Sequence, residues 1–242
     1  MTEQEIKLEL VRIFGNSLDS CEKAYDFILK NAVSSSEVTS ASKIESGGVI
    51  AVDLGLPSGT LWGDRNLGAG RREGYGDYFS WGNVVGHRPP GIKNDWGENT
   101  DVFIYEYTEK RYNQTIGSQL TTDIDVMNDA ATFYLGAPWR MPSKEDFQEL
   151  FEHCDYTRVT RNGVNGLLLA SKNNGNTIFF PAAGSGANMS ISFLGSRGGY
   201  WSSSLCSSDY GCCIYFNSFS VNFQDNRLRS FGYPIRPIYP KL

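Results

Sequence analysis

Gly166-Leu167-Leu168-Leu169-Ala170-Ser171, Lys172-Asn173-Asn174-Gly175 and Thr177-Ile178-Phe179-Phe180-Pro181 decide how the rest of the chain reads. Two short apolar runs flank an Asn/Gly turn, which is the pattern of an antiparallel hairpin. Short run and turn recur downstream at 199–203, 213–216, 220–223 and 235–239, with Ser196-Arg197-Gly198-Gly199 as a further turn. Upstream, residues 49–54 read as a strand ended by Leu56-Pro57-Ser58-Gly59, and Thr60-Leu61-Trp62 resumes one.

Helical spacing lies between these strands. Thr122 to Tyr134 reads as a helix with Val126, Ala130, Ala131 and Tyr134 on one face. A second helix starts at Pro142-Ser143-Lys144-Glu145-Asp146, with Ser143 as N-cap, acids in the first turn and Phe147, Leu150 and Phe151 as its buried stripe. Helices followed by a run of hairpins predict an α+β domain.

Residues 1–31 read differently. Ile6, Leu10, Val11, Ile13 and Phe14, then Leu18, Cys21, Ala24, Tyr25, Ile28 and Leu29, recur at helical spacing around a Gly15-Asn16 stop. A helical hairpin this small cannot bury both apolar faces alone, so it is expected to dock on the main domain or a partner. Residues 32–47 are Ser-rich and read as a linker, which leaves 48–242 as the main domain.

The 242 residues carry 22 Lys+Arg against 27 Asp+Glu, for a net charge of −5. An acidic chain without a Lys/Arg block is a poor nucleic-acid binder. No stretch reaches the roughly 18–20 apolar residues of a membrane span, and the start lacks the basic and apolar regions of a signal peptide. Cytoplasmic synthesis is therefore expected, and five cysteines without a leader read as free thiols.

Little in the chain frames catalysis. His87 lies in a Pro-rich loop and His153 near a helix end, and no Gly-x-Ser-x-Gly elbow frames a serine. There is no Cys-x-x-Cys pair, and the adjacent Cys212 and Cys213 point to opposite faces of a strand, which disfavours shared metal ligation. The polar loop Asn94-Asp95-Trp96-Gly97-Glu98-Asn99 with Asp101 lacks EF-hand spacing. Gly68-Ala69-Gly70 and Gly184-Ser185-Gly186 lack the dinucleotide fingerprint and read as turns. Tyr75, Tyr78, Phe79, Trp81, Trp139 and Trp201 read as core before they read as a stacking platform. No enzyme activity, cofactor or metal is expected.

Residues 202–231 are compositionally unusual. They contain no Lys, Glu, Met or Trp and a single Gln, at Gln224. At the frequency of these types elsewhere in the chain, on the order of five were expected. The segment is made instead of Ser, Asn, Asp, Cys, Tyr, Phe, Leu and Arg, which overlaps the Tyr, Ser, Asn and Gly of adaptable recognition surfaces. A long hairpin with a polar loop is the plainer reading of the same residues.

Several motifs together carry a resemblance. They are Val52-Asp53-Leu54-Gly55-Leu56-Pro57-Ser58-Gly59-Thr60-Leu61-Trp62 with Arg65-Asn66-Leu67-Gly68-Ala69, Asp77-Tyr78-Phe79-Ser80-Trp81-Gly82, and Asp129-Ala130-Ala131 with Trp139-Arg140-Met141-Pro142-Ser143. Phe180-Pro181-Ala182-Ala183-Gly184, Tyr200-Trp201-Ser202-Ser203-Ser204 and Gly232-Tyr233-Pro234-Ile235-Arg236-Pro237 complete the set. In this order they resemble the major paralogous domain of gut Bacteroidetes and fibrobacters, over about residues 48–238. That family implies a C-type lectin fold of the formylglycine-generating-enzyme branch, with two helices and short antiparallel strands, here preceded by the small N-terminal helical appendage. No cysteine matches that branch's enzymatic motif, so activity is not carried over. A formylglycine-generating-type enzyme remains an alternative.

The branch includes variable proteins of diversity-generating retroelements, among them phage receptor-binding proteins, whose adenine-directed mutagenesis yields NNY codons that exclude Lys, Glu, Gln, Met and Trp. The resemblance implies a ligand-binding display protein, receptor-binding or adhesin-like, with a hypervariable surface for a protein or glycan target. Its candidate variable residues are Cys206, Ser207, Asp209, Tyr210, Cys212, Cys213, Tyr215, Phe219, Asn222, Phe223, Asp225, Asn226, Leu228, Ser230 and Phe231. Trp201, Phe216, Gly232, Arg236, Pro237 and the off-pattern Gln224 would be fixed. The three clustered cysteines would be products of diversification, neither bridges nor ligands. The N-terminal helices would attach the display domain to an assembly such as a virion or a cell-surface complex. A glycan-binding or structural paralogue that never diversifies is the alternative.

Overall fold

The structure, a computed structural model, describes residues 44–86, 120–187 and 190–241. The expected helical hairpin at 1–31, most of the 32–47 linker, His87 and the 94–101 loop lie outside the described residues.

The second expected helix forms where its sequence signals fall. The Ser143 hydroxyl accepts the Asp146 N–H at 3.2 Å, and the Asp146 carboxylate accepts the Ser143 N–H at 2.7 Å, which closes a capping box. Helix α2 (Lys144–His153) buries Phe147, Leu150 and Phe151 on one side. Helix α1 (Ala130–Leu135) is much shorter than the 122–134 pattern suggests. The Asp125 carboxylate accepts the N–H groups of Met127 and Asn128, each at 3.1 Å, and holds a turn where a helix would need those donors. Asp129 then caps α1 by accepting the Thr132 N–H at 2.9 Å.

The strands build four antiparallel sheets. The first has the order β1 (Glu45–Ser46), β2 (Val49–Asp53), β3 (Leu61–Gly63) and β12 (Ile238–Tyr239). It joins both ends of the described chain through the pairs Ile238↔Trp62 and Tyr239↔Leu61. Its first strand falls at the end of the Ser-rich stretch, because Glu45 and Ser46 find ladder partners in Ile50 and Val49. The second sheet is β4 (Cys154–Arg161), β5 (Val164–Ser171) and β6 (Thr177–Pro181), which extends the opening hairpin by one strand. Asn162 and Gly163 both have positive φ, 48° and 79°, as a two-residue hairpin turn between right-twisted strands requires. The third sheet has β10 (Tyr210–Phe216) between β9 (Gly198–Leu205) and β11 (Val221–Leu228). A small hairpin of β7 (Ser185–Ala187) and β8 (Ser190–Ser192) is the fourth.

The core lies between α2 and these sheets, with Trp62, Phe147, Leu167, Phe180, Tyr200, Phe216 and Ile238 all buried. Full burial of side chains this large contributes about 2–3 kcal/mol each. Through this core runs Arg236, fully buried, donating to Asn66 Oδ1 at 3.0 Å, Gly63 O at 3.1 Å and Phe179 O at 2.6 Å, with its guanidinium 4.5 Å from the Phe180 ring. Burial lowers its pKa to about 10, so it remains a cation at neutral pH. Asp64 is also buried, which disfavours its charge. Arg65, the Ile50 N–H and Arg72 outweigh that cost and hold its carboxyl below the ordinary value.

These observations correct the expected fold class. The described residues are mostly antiparallel sheet with two short helices, a β-rich architecture and not an α+β domain, while the expected helical appendage lies outside them. The physical reason is local. The long helix predicted up to Tyr134 is cut to six residues by the Asp125 turn, and the described segment after His153 holds strands and no helix.

Candidate binding surface

The compositionally unusual segment folds as the end of β9, strand β10, a turn, and strand β11. β10 is the middle strand and is covered on both faces. Helix α2 packs on one side. On the other side Trp201 meets Tyr233 edge to face at 5.0 Å, the Trp81 ring lies against Gly211, and the Trp81 indole donates to Ser202 O at 2.8 Å. A strand covered on both sides is buried at successive residues.

That cover corrects part of the expected surface. Cys212 and Cys213 are buried, 6% and 2% exposed, although they lie on opposite faces of the strand. Ser230 is also buried, in the turn after β11. Cys206 and Cys212 form a disulfide, which overturns the expectation of unbridged surface cysteines. Cys154 and Cys213 are free and buried. Burial raises both thiols, that of Cys154 to about 11, so neither is a ready thiolate at neutral pH. Cys21 lies outside the described residues.

Other expected positions do face solvent. Cys206, Ser207, Asp209 and Tyr210 are exposed in the disulfide loop. Phe219 is 94% exposed at the tip of the turn, and Asn222, Phe223 and Asn226 are exposed along β11. Tyr215, Asp225, Leu228 and Phe231 are half-buried.

The register of β10 against β11 explains how side chains gather on one side. Cys213 pairs with Asp225 and Tyr215 with Asn222, so Phe223 and Gln224 together stand opposite Ile214. This is a β-bulge, which re-aims side chains. Both residues line a cleft of about 400 Å³ between α2 and the hairpin. Phe223 stacks on Phe151 of α2, ring centroids 5.4 Å apart and 19° from parallel. Lys144 and Gln148 of α2, and the disulfide sulfurs' residues Cys206 and Cys212, complete the walls. Lys144, Gln148 and Gln224 were not among the expected binding residues. Their signal was available only through the packing of α2, since Lys144 and Gln148 lie on that helix, far before the segment in sequence.

Tyr215 and Phe231 line a different recess, with Arg227 and Tyr233. Arg227 pairs with Asp225 at 2.7 Å and lies 4.7 Å from the Tyr215 ring. Burial raises the Tyr233 phenol, which therefore stays a neutral hydroxyl.

The buried framework includes residues of the motifs, Trp62, Trp81, Trp201 and Arg236, together with Phe216, which was expected to be fixed. Among the described residues no three His, Cys, Asp or Glu side chains cluster as metal ligands. No described helix is long and apolar enough to cross a membrane. The class these features define is a β-rich scaffold bearing an exposed aromatic and polar hairpin. No known family, curated protein or solved structure matches the chain.

Proposed function

We propose that this is a non-enzymatic ligand-binding protein that displays the 206–228 surface to a protein or glycan target, as a receptor-binding or adhesin-like module. One observation carries the reading. Exposed Tyr210, Phe219, Asn222, Phe223 and Asn226 stand at the start of β10, on the turn and on β11, while the rest of β10 is clamped between α2 and the Trp81/Trp201 layer. Rigid aromatic and amide side chains on a fixed frame suit recognition, because little ordering entropy is lost on binding. The compositional gap at 202–231 and the resemblance to retroelement variable proteins support a surface meant to vary. Variation costs little where side chains point to solvent. Burial and raised pKa make Cys154 and Cys213 poor nucleophiles at neutral pH. The Cys206–Cys212 bond suits work at a virion or cell surface, where thiols are not kept reduced.

A displayed library tests this. Ser207, Asp209, Tyr210, Phe219, Asn222 and Asn226 are randomised together with NNY codons. Most clones are expected to stay protease-resistant, and panning on a single immobilised protein is expected to yield binders. Loss of fold in most clones, or no enrichment, overturns the reading.

A further inference from the structure

The second recess carries chemistry that the exposed hairpin does not. It is about 250 Å³ in volume, and Arg197, Arg227, Phe193, Tyr215, Phe231 and Tyr233 line it. That is below the roughly 300–1,000 Å³ of drug-sized sites and leaves room for one ring with its substituents.

Its most unusual member is Phe193. A bulky aromatic residue rarely adopts positive φ, yet Phe193 has φ 63° and is 49% exposed. The loop around it is built to hold that conformation. The Phe193 carbonyl accepts three donors: Ser196 N at 3.1 Å, Arg197 N at 3.0 Å and Ser196 Oγ at 2.9 Å. Gly184 N donates to Arg197 O at 2.6 Å, and Gly195 N donates to Ala182 O at 2.7 Å. A Cβ at Gly184 would collide with Ser192 O, so the close approach needs glycine. A strained, exposed ring held by so many bonds is the kind of feature that persists at ligand sites.

The ring stacks on Arg197, with the guanidinium carbon 3.5 Å from the ring centroid. Among the described residues no carboxylate or carbonyl pairs with that guanidinium. Stacking keeps the planar fork in place and leaves its N–H edge for an acceptor. Arg227 is the second cation in the recess, but Asp225 already pairs with it. Two guanidiniums and one carboxylate leave one net positive charge. That charge matches a monoanion such as a carboxylate better than a phosphate dianion. Phe193, Tyr215 and Phe231 add flat apolar faces, and the Tyr233 hydroxyl adds a donor and acceptor.

We infer that this recess binds the carboxylate of an acidic sugar residue, with Arg197 taking the carboxylate and the aromatic rings taking the sugar ring. The inference deepens the binding reading by naming a ligand class, and it places Phe193 and Arg197 in the site although both lie outside residues 202–231.

The test titrates the full 242-residue chain with N-acetylneuraminate, glucuronate, galactose and cyclohexanecarboxylate, followed by NMR. Saturable binding is expected for at least one acidic sugar, with galactose at least tenfold weaker. Arg197→Gln is expected to weaken the acidic sugar tenfold or more, the usual cost of a lost charge-assisted hydrogen bond. Arg197→Lys, which keeps the charge without the fork, should lose less. Thr157→Ser, exposed on β4 and outside both the recess and the displayed hairpin, should bind as the parent does. Four results would each overturn the inference: no saturable acidic sugar, galactose equal to the acidic sugar that binds, cyclohexanecarboxylate equal to that sugar, or unchanged binding by folded Arg197→Gln. The display reading survives any of them, because the randomised library decides it separately.

Discussion

Strands β9 and β11 flank the same central strand, and each has eight residues. Both are rich in polar residues: β9 is Gly-Gly-Tyr-Trp-Ser-Ser-Ser-Leu and β11 is Val-Asn-Phe-Gln-Asp-Asn-Arg-Leu. Yet six of the eight residues in β9 are buried, whereas none in β11 is. Composition does not account for this difference. What covers each strand does. In β9 the absent side chains of Gly198 and Gly199 let the Phe216 and Tyr233 rings lie directly on the backbone. Trp201 donates to Phe79 O at 2.7 Å, Ser203 N donates to Pro142 O at 2.8 Å, and Ser204 Oγ accepts the Lys144 N–H at 3.1 Å. These bonds satisfy the polar groups that burial would otherwise strand. β11 has an edge position and a bulge, and it sends most of its polar side chains to solvent. One sheet thus holds a buried strand on one side and an exposed one on the other.

The contrast is most open to attack at Trp201. Trp201→Ala removes a fully buried indole and its bond to Phe79, and is expected to cost about 3–5 kcal/mol in urea unfolding. A loss under about 1 kcal/mol would put β9 on the footing of β11 and break the comparison. The next effect lies at the seam, where the disulfide ties the loop after β9 to β10. Cys206→Ser opens a small ring, and chain entropy assigns about 2 kcal/mol to such a closure. The loss should appear in oxidising buffer and vanish when parent and variant are both measured with reductant. Equal stability in oxidising buffer would mean that the bond does not contribute to the frame.

How much of this was legible follows the same division. Local signals worked where the determinants are local. Ser143 with Asp146 marks the start of α2, and Phe147, Leu150 and Phe151 mark its buried face. The Asn/Gly turn at 172–175 marks the hairpin of β5 and β6. Strand β4 escaped because Cys154–Arg161 is mostly polar and exposed, although Asn162-Gly163 was a turn signal in plain view. The candidate surface was legible in outline, since polar, aromatic-rich composition does coincide with exposed Tyr210, Phe219 and Asn226. The burial of Cys212 and Cys213 was not, because their cover comes from α2 and from Trp81 and Tyr233, distant in sequence. The Cys206–Cys212 bond was not legible, because spacing alone does not choose between the adjacent Cys212 and Cys213 as the partner of Cys206. The left-handed backbone of Phe193 leaves no trace in composition at all.

Phe223 sharpens the comparison from the β11 side. It is exposed, but one ring face stacks on Phe151. Phe223→Ala should therefore cost about 1 kcal/mol, the range of an aromatic pair with partial burial, when followed by thermal unfolding. A loss near that expected for Trp201 would place β11 in the frame.

The smallest effect is expected two residues into the turn. Asn217 Oδ1 accepts the N–H groups of Phe219 at 2.7 Å and Ser220 at 3.0 Å, and Asn217 N donates to Ser220 O at 3.0 Å. The side chain of Asn217 therefore fixes the backbone of the tip, and the Phe219 ring takes no part in it. Asn217→Ala should lose about 1 kcal/mol, whereas Phe219→Ser should change unfolding stability by less than about 0.5 kcal/mol. An equal loss in both variants would mean that the tip ring supports the fold. A near-zero loss for Phe219 beside a real one for Asn217 separates scaffold from display within a single four-residue turn, which is the separation a surface free to vary requires.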